Sequence, residues 1–196
     1  MSKLSGYQKD YLYSLLQAGL HEVTHTIDEY LDLETNFSDV KFEELPELSV
    51  VDNDEESVSV HIVYKGTNIG EGACFLLKRD LKLLANQLSD GEDIGNKYEF
   101  MVDVAKEFTN LVCNRLLGII DDQFSLTHSS CVPVYREPLK PIRGQMSEGP
   151  YGLLSTRLFI GATKISCQFN LVIRPLGLDS IVEKIPEPRN NDVKIA

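Results

Sequence analysis

Asp103, Glu107, Asn110 and Asn114 recur at three- and four-residue steps, and on a helix turning 100° per residue they fall at roughly 0°, 40°, −20° and 20°. A carboxylate can pair with a cation or move a proton. A carboxamide donates and accepts together and keeps its state at any cellular pH. The apolar positions of the same segment (Met101, Val104, Phe108, Leu111, Val112, Ile119) centre roughly 140° away, so the polar stripe is expected to face out from the core. A group must lie there if a macromolecule is to reach it. Any solvated helix also keeps its polar residues there, so the stripe alone carries no function.

A second constellation is His21-Glu22-Val23-Thr24-His25, an H-E-x-x-H match. Two imidazoles one turn apart can hold zinc while the glutamate serves as general base. With Leu20 before it and Thr26-Ile27-Asp28-Glu29-Tyr30 after, the stretch resembles thermolysin-like peptidases. Three features oppose that chemistry. Only 20 residues precede the motif, too few for the upstream sheet that holds a peptide in such enzymes. No downstream Asn-Glu-x-x-x-Asp helix offers a third ligand, since Glu43, Glu44 and Glu47 flank Pro46 in what reads as a loop. His21 and His25 also fall at roughly 20° and 60°, on the face shared by Asp10, Ser14 and Gln17 and opposite the leucines. No metal of the chain's own is expected.

The elements that must position these groups read as a repeat. Residues 8–33 are predicted to form an amphipathic helix through Leu12, Leu15, Leu16, Leu20, Val23, Ile27 and Leu31. A polar, acidic connection (Glu34 to Glu56) follows. Val58, Val60 and Ile62 then alternate with polar residues, a turn stands at Lys65-Gly66-Thr67-Asn68, and a second β-like run extends from Ile69 to Leu77. Arg79 to Leu88 reads as a short helix stopped by Ser89-Asp90-Gly91. The second half repeats the order: a long helix from Tyr98 to Ile120, a connection holding Pro133, Pro138, Pro141 and Pro150, β-like runs at Leu158–Ile160 and Ile165–Ile173, and a short helix at Leu178–Ile185. Asp10 matches Asp103 and Ser14 matches Glu107 at an offset of 93, and Ile69 matches Ile165 at 96. The expectation is one α+β domain over residues 1–185, built from pseudo-symmetric α-β-β(-α) units (about 8–90 and 95–185) with long helices on one face of a shared, mainly antiparallel sheet. A flexible tail is expected over 186–196.

Composition narrows the function. The 196 residues carry 30 acidic and 19 basic side chains, a net charge of −11, which opposes binding to nucleic acid or anionic lipid through a broad basic surface. No apolar run reaches the roughly 20 residues that span a bilayer, and the N-terminal stretch lacks an apolar secretion segment, so a cytoplasmic protein without membrane insertion is expected. Cys74, Cys113, Cys131 and Cys167 are widely spaced and read as reduced thiols, two of them small hydrophobes inside β-like runs. His61 and His128 show no Ser or Cys partner at a recognisable spacing. Gly66, Gly70 and Gly72 read as a hairpin turn and a bulge rather than a phosphate loop. Arg115 is expected to snorkel or to pair with Asp121 or Asp122.

From Asp103 the chain reads D-V-A-K-E-F-T-N, then 22 residues, then Pro133: Asp-x3-Glu-x2-Asn-x22-Pro. This resembles the signature of the CheC/CheX family of chemotaxis phosphatases. The likeness extends over about residues 8–175, through "SVSVHIVYKGTNIGEGACFLL", "RDLKLLANQL" and "TRLFIGATKISCQFNLVIR". It implies hydrolysis of the aspartyl phosphate on a CheY-type receiver that brings its own Mg²⁺. Glu107 would dock against a receiver lysine and Asn110 would hold the attacking water. Asp103 and Asn114 would support the stripe or contact the partner, and Pro133 would fix the backbone beyond the helix. In the first half the Glu-x2-Asn pair has become Ser14-x2-Gln17 beside Asp10, which implies one working site per chain. The single motif looks more like the CheX branch, which implies a homodimer. Relatives of this fold also serve in the flagellar switch, so a non-catalytic receiver- or switch-binding module is the alternative, and a zinc peptidase the remote one.

Overall fold

Ser5 opens the first helix with a reciprocal cap: its hydroxyl accepts from the Gln8 backbone N–H, and the Gln8 side chain accepts from the Ser5 N–H. Helix α1 (Gly6–Leu31) ends at Asp32, whose left-handed backbone (φ 51°) breaks the helical path. The computed structural model describes residues 4–45, 56–66, 69–89, 98–137 and 151–187. The expected features at Pro46, Thr67-Asn68, Asp90-Gly91, Pro138, Pro141, Pro150 and the tail from residue 188 on lie outside the described residues.

The remaining elements are β1 (Thr35–Leu45), β2 (Ser57–Gly66), β3 (Ile69–Leu77), α2 (Lys78–Gln87), α3 (Tyr98–Phe124), β4 (His128–Ser130), β5 (Val134–Arg136), β6 (Tyr151–Ile160), β7 (Ile165–Ile173) and α4 (Pro175–Val182). The seven strands form one sheet ordered β1-β6-β7-β3-β2-β4, with β5 also on β2, and every pairing is antiparallel. Its two halves are related by an internal two-fold. Ala73 pairs with Asn170 and Cys74 with Phe169 at the centre, and a shift of 96 residues turns one pair into the other.

The acidic connection after α1 is a correction to the sequence reading. It contains β1, an edge strand paired along β6. Its register slips between Ser38 and Lys41, where Asp39 takes a left-handed backbone (φ 56°), and a bulge of this kind reverses which residues face the core. The second half has the same irregularity in stronger form. Its equivalent strand is split into β4 and β5, with Pro133 in the gap and the Cys131 N–H still donating to Val63 O at 2.9 Å. Proline has no N–H to give a ladder, so it fits where the ladder is broken. Two smaller corrections stand beside these. β6 begins at Tyr151 rather than near Leu158, and α4 starts at Pro175 because a proline suits the first helical turn.

The principal core lies between the helices and one sheet face. Leu16, Leu20, Val23 and Ile27 of α1 and Phe108, Val112, Leu116 and Ile120 of α3 are all 2% exposed or less. Full burial of each such side chain stabilises by about 1.5–3 kcal/mol. The other sheet face buries a smaller apolar cluster of Ala73, Phe75, Tyr151, Leu153 and Val172. With both faces buried, β6 loses the apolar–polar alternation that marks a half-buried strand.

Candidate functional site on the third helix

Two close approaches fix the rotation of α3. A Cβ on Gly72 would lie 2.7 Å from the Cys113 Sγ, so β3 meets the helix at a glycine because nothing larger fits. On the other flank, a Cβ on Gly19 of α1 would lie 3.0 Å from the Leu116 Cδ1. The two long helices run antiparallel: Gln123 Nε2 donates to the Tyr11 hydroxyl at 2.9 Å, and Arg115 pairs with Glu22 at 3.0 Å. With Ala105, Phe108, Thr109, Val112 and Cys113 turned inward, the opposite stripe faces out.

Asp103 and Glu107 are exposed and Asn110 and Asn114 are half-buried, so the four stripe residues lie together as expected. Asn114 Nδ2 donates to Asn110 Oδ1 at 2.7 Å. The bond uses one lone pair of that oxygen, so the Asn110 carboxamide keeps a second lone pair and both N–H donors. Pro133 lies in the β4–β5 gap, and β5 leads to an anchor for the start of α3. Glu137 accepts from the Tyr98 and Tyr135 hydroxyls (3.3 and 3.2 Å) and pairs with Lys78 at 2.7 Å, while the Tyr98 and Tyr135 rings meet edge-on. The Lys78 hydrogen bond holds the Glu137 carboxyl below its usual range. Burial, then the Glu137 charge, pushes both tyrosine hydroxyls up.

A cleft of about 260 Å³ opens beside the stripe. Asp103, Glu107 and Asn110 form one rim, Tyr30 stands across it, and Leu31, Leu88 and Phe100 contribute apolar walls. Sequence reading missed it because its walls come from the ends of α1, α2 and α3, which no local periodicity connects.

The first-half residues Asp10, Ser14 and Gln17 are exposed on α1. Farther along that face, the H-E-x-x-H residues are engaged separately. The His21 ring packs edge-on to Phe37 at 4.7 Å, His25 lies 3.5 Å from Glu29, and Glu22 takes Arg115 as its partner. The expected Arg115 contact with Asp121 or Asp122 is thus replaced by a tie across the helix pair. Among the described residues, no group of three or more His, Cys, Asp or Glu is placed to hold a metal ion.

His61 is a further correction. Its Nε2 lies 2.8 Å from the Ser59 Oγ and its Nδ1 2.5 Å from the Glu71 Oε1, a Ser–His–Glu chain across β2 and β3. The signal was Ser-x-His on one strand face with a glutamate on the next. Ser59 is 0% exposed and His61 1%, so the chain satisfies buried polar groups and offers no nucleophile to a substrate. Cys74, Cys113 and Cys167 are buried free thiols, as expected, and burial raises the Cys113 and Cys167 groups.

No family model and no curated protein matches the sequence. The structure, in contrast, has close counterparts. Thermotoga maritima FliY superposes with a TM-score of 0.67 at 14% identity, covering 93% of this chain and 98% of that one. The CheX of a CheX–CheY–BeF3–Mg complex from Borrelia burgdorferi gives 0.60 at 13%, covering 82% and 97%. The FliM middle domain from H. pylori gives 0.62 at 11%, covering 93% and 100%. The chain has the CheC/CheX fold. That fold is α+β with a mainly antiparallel sheet, as the repeat implied. No helix among the described residues is long and apolar enough to cross a membrane.

Proposed function

We propose that this protein hydrolyses the aspartyl phosphate of a CheY-type receiver in chemotaxis signalling, with Glu107 and Asn110 as its working pair. The observation that supports this most is the outward Asn110 carboxamide, held by Asn114 one turn from an exposed Glu107, in the spacing of the phosphatase signature and on the fold of CheX. An acyl phosphate already has a good leaving group, and the receiver brings Mg²⁺ and a lysine to neutralise the phosphoryl oxygens. What remains is positioning. The free lone pair and N–H donors of Asn110 hold a water in line with phosphorus. Glu107 pairs with the receiver lysine and sets the depth of approach, and Asp103 and Asn114 support that face. The chain needs no cofactor of its own. With Ser14 and Gln17 in the first half, one site works per chain, and a homodimer in the cytoplasm is the assembly that reading carries.

The test follows decay of phosphorylated receiver with and without the protein. Faster decay with the wild type, and loss of the acceleration in Asn110→Ala, supports the reading; equal decay with and without the wild type removes it.

A second reading has its own observation. FliY and the FliM middle domain cover 93% of this chain, against 82% for the Borrelia CheX. A switch-type interaction module would use the same face to bind a receiver without turnover. Binding with no change in phosphate lifetime identifies that case.

A further inference from the structure

We propose that the cleft beside Asn110 is the receiver's second foothold, taking one large apolar side chain that the receiver carries next to a basic residue. This rests on the receiver reading above and names the chemistry of the contact.

Position is the first support. A receiver whose phosphate reaches Asn110 must lie over the Asp103–Asn110 rim, and that rim is shared with the cleft. Size is the second. At about 260 Å³ the cleft is below the roughly 300–1,000 Å³ of small-molecule pockets, so it suits a single side chain. Charge is the third. Asp103 and Glu107 stand on the rim and are exposed, which selects an apolar group flanked by lysine or arginine.

The internal two-fold gives the strongest argument. Shifted by 93 residues, Phe100, Val104 and Leu31 correspond to Tyr7, Tyr11 and Phe124. There the chain packs its own rings together: Tyr7 on Tyr11 and Tyr11 on Phe124, each at 6.5 Å between centroids, with Phe124 only 2% exposed. Tyr7 and Phe100 are rings in both halves, but the half whose motif has decayed to Ser14 and Gln17 puts the rings of Tyr11 and Phe124 where the half with Glu107 and Asn110 keeps the smaller aliphatic Val104 and Leu31 beside an open space.

The experiment measures KM and kcat for decay of phosphorylated receiver, and binding of receiver loaded with beryllofluoride and Mg²⁺. Leu31→Phe fills the cleft with the side chain its counterpart already carries. Tyr30→Ser removes apolar rim surface at a ring 78% exposed, where folding is not at stake. Leu31→Phe is expected to raise KM and weaken binding about tenfold to a hundredfold, and Tyr30→Ser several-fold, both with kcat within about twofold. Active wild type with KM unchanged in both variants overturns the foothold and leaves the phosphatase reading standing. Wild type that binds without hydrolysis, with binding weakened in the variants, overturns the phosphatase reading and keeps the foothold. Wild type that neither binds nor hydrolyses overturns both.

Discussion

Asn114 donates through its Nδ2 to the Oδ1 of Asn110 at 2.7 Å, one helical turn away, and so holds by its oxygen the side chain on which the proposed chemistry depends. A hydrogen bond between neutral groups is worth about 0.5–1.5 kcal/mol, and 1.4 kcal/mol is a tenfold change in rate. Asn114→Ala is therefore expected to lower kcat for receiver dephosphorylation about three- to tenfold while KM stays unchanged. Steady-state kinetics check this, and Asn114→Gln, which keeps the donor, should recover part of the loss.

The outward rotation of the stripe depends on how closely α3 lies on β3. A Cβ on Gly72 would come within 2.7 Å of the Cys113 Sγ. Gly72→Ala is expected to destabilise by about 1–3 kcal/mol through overpacking. Adding Cys113→Ala removes the clashing sulfur, so the double variant should be more stable than the sum of the single effects implies. Denaturant unfolding of the four proteins in the cycle measures the coupling.

Lys78 holds the Glu137 carboxyl below its usual range, and Glu137 anchors Tyr98 at the start of α3. A carboxyl whose pKa is lower in the folded than in the unfolded chain adds stability above the unfolded value, near 4.3, and that contribution is lost as pH falls through the folded value. The pair is solvent-exposed, so the effect is small. Glu137→Gln is expected to be slightly less stable than the wild type at neutral pH, with the gap closing as pH falls from about 5 to about 3. Denaturation midpoints across that range check it.

Where side-chain period and burial agreed, the architecture was legible. The leucines of α1 and the stripe of α3 each show one buried face. The alternation through β2 and β7 located both strands, although Ser59, His61, Asn170 and Val172 on their other face are buried too, and the 93–96-residue offset survives as a true two-fold. β1 was hidden by physics rather than by weak signal. Phe37 and Phe42 are out of phase because the bulge at Asp39 reverses the alternation, and the exposed positions of this edge strand are the polar Asn36, Asp39, Lys41 and Glu43. β6 was half seen because Leu153 and Leu154 are both buried, on opposite faces. The stripe could be found because a helix brings together residues three and four apart. The cleft, the Arg115–Glu22 tie and the Ser59–His61–Glu71 chain join separate elements, and one sequence holds no periodicity for such contacts.

The central claim is that Asn110 supplies the water-positioning group, and single-turnover decay of phosphorylated receiver tests it most directly. Saturating wild-type protein should shorten the phosphate lifetime, and Asn110→Ala should bind the receiver equally well yet lose about a hundredfold or more of that acceleration. Asn110→Ala with the wild-type rate at saturation would contradict the account.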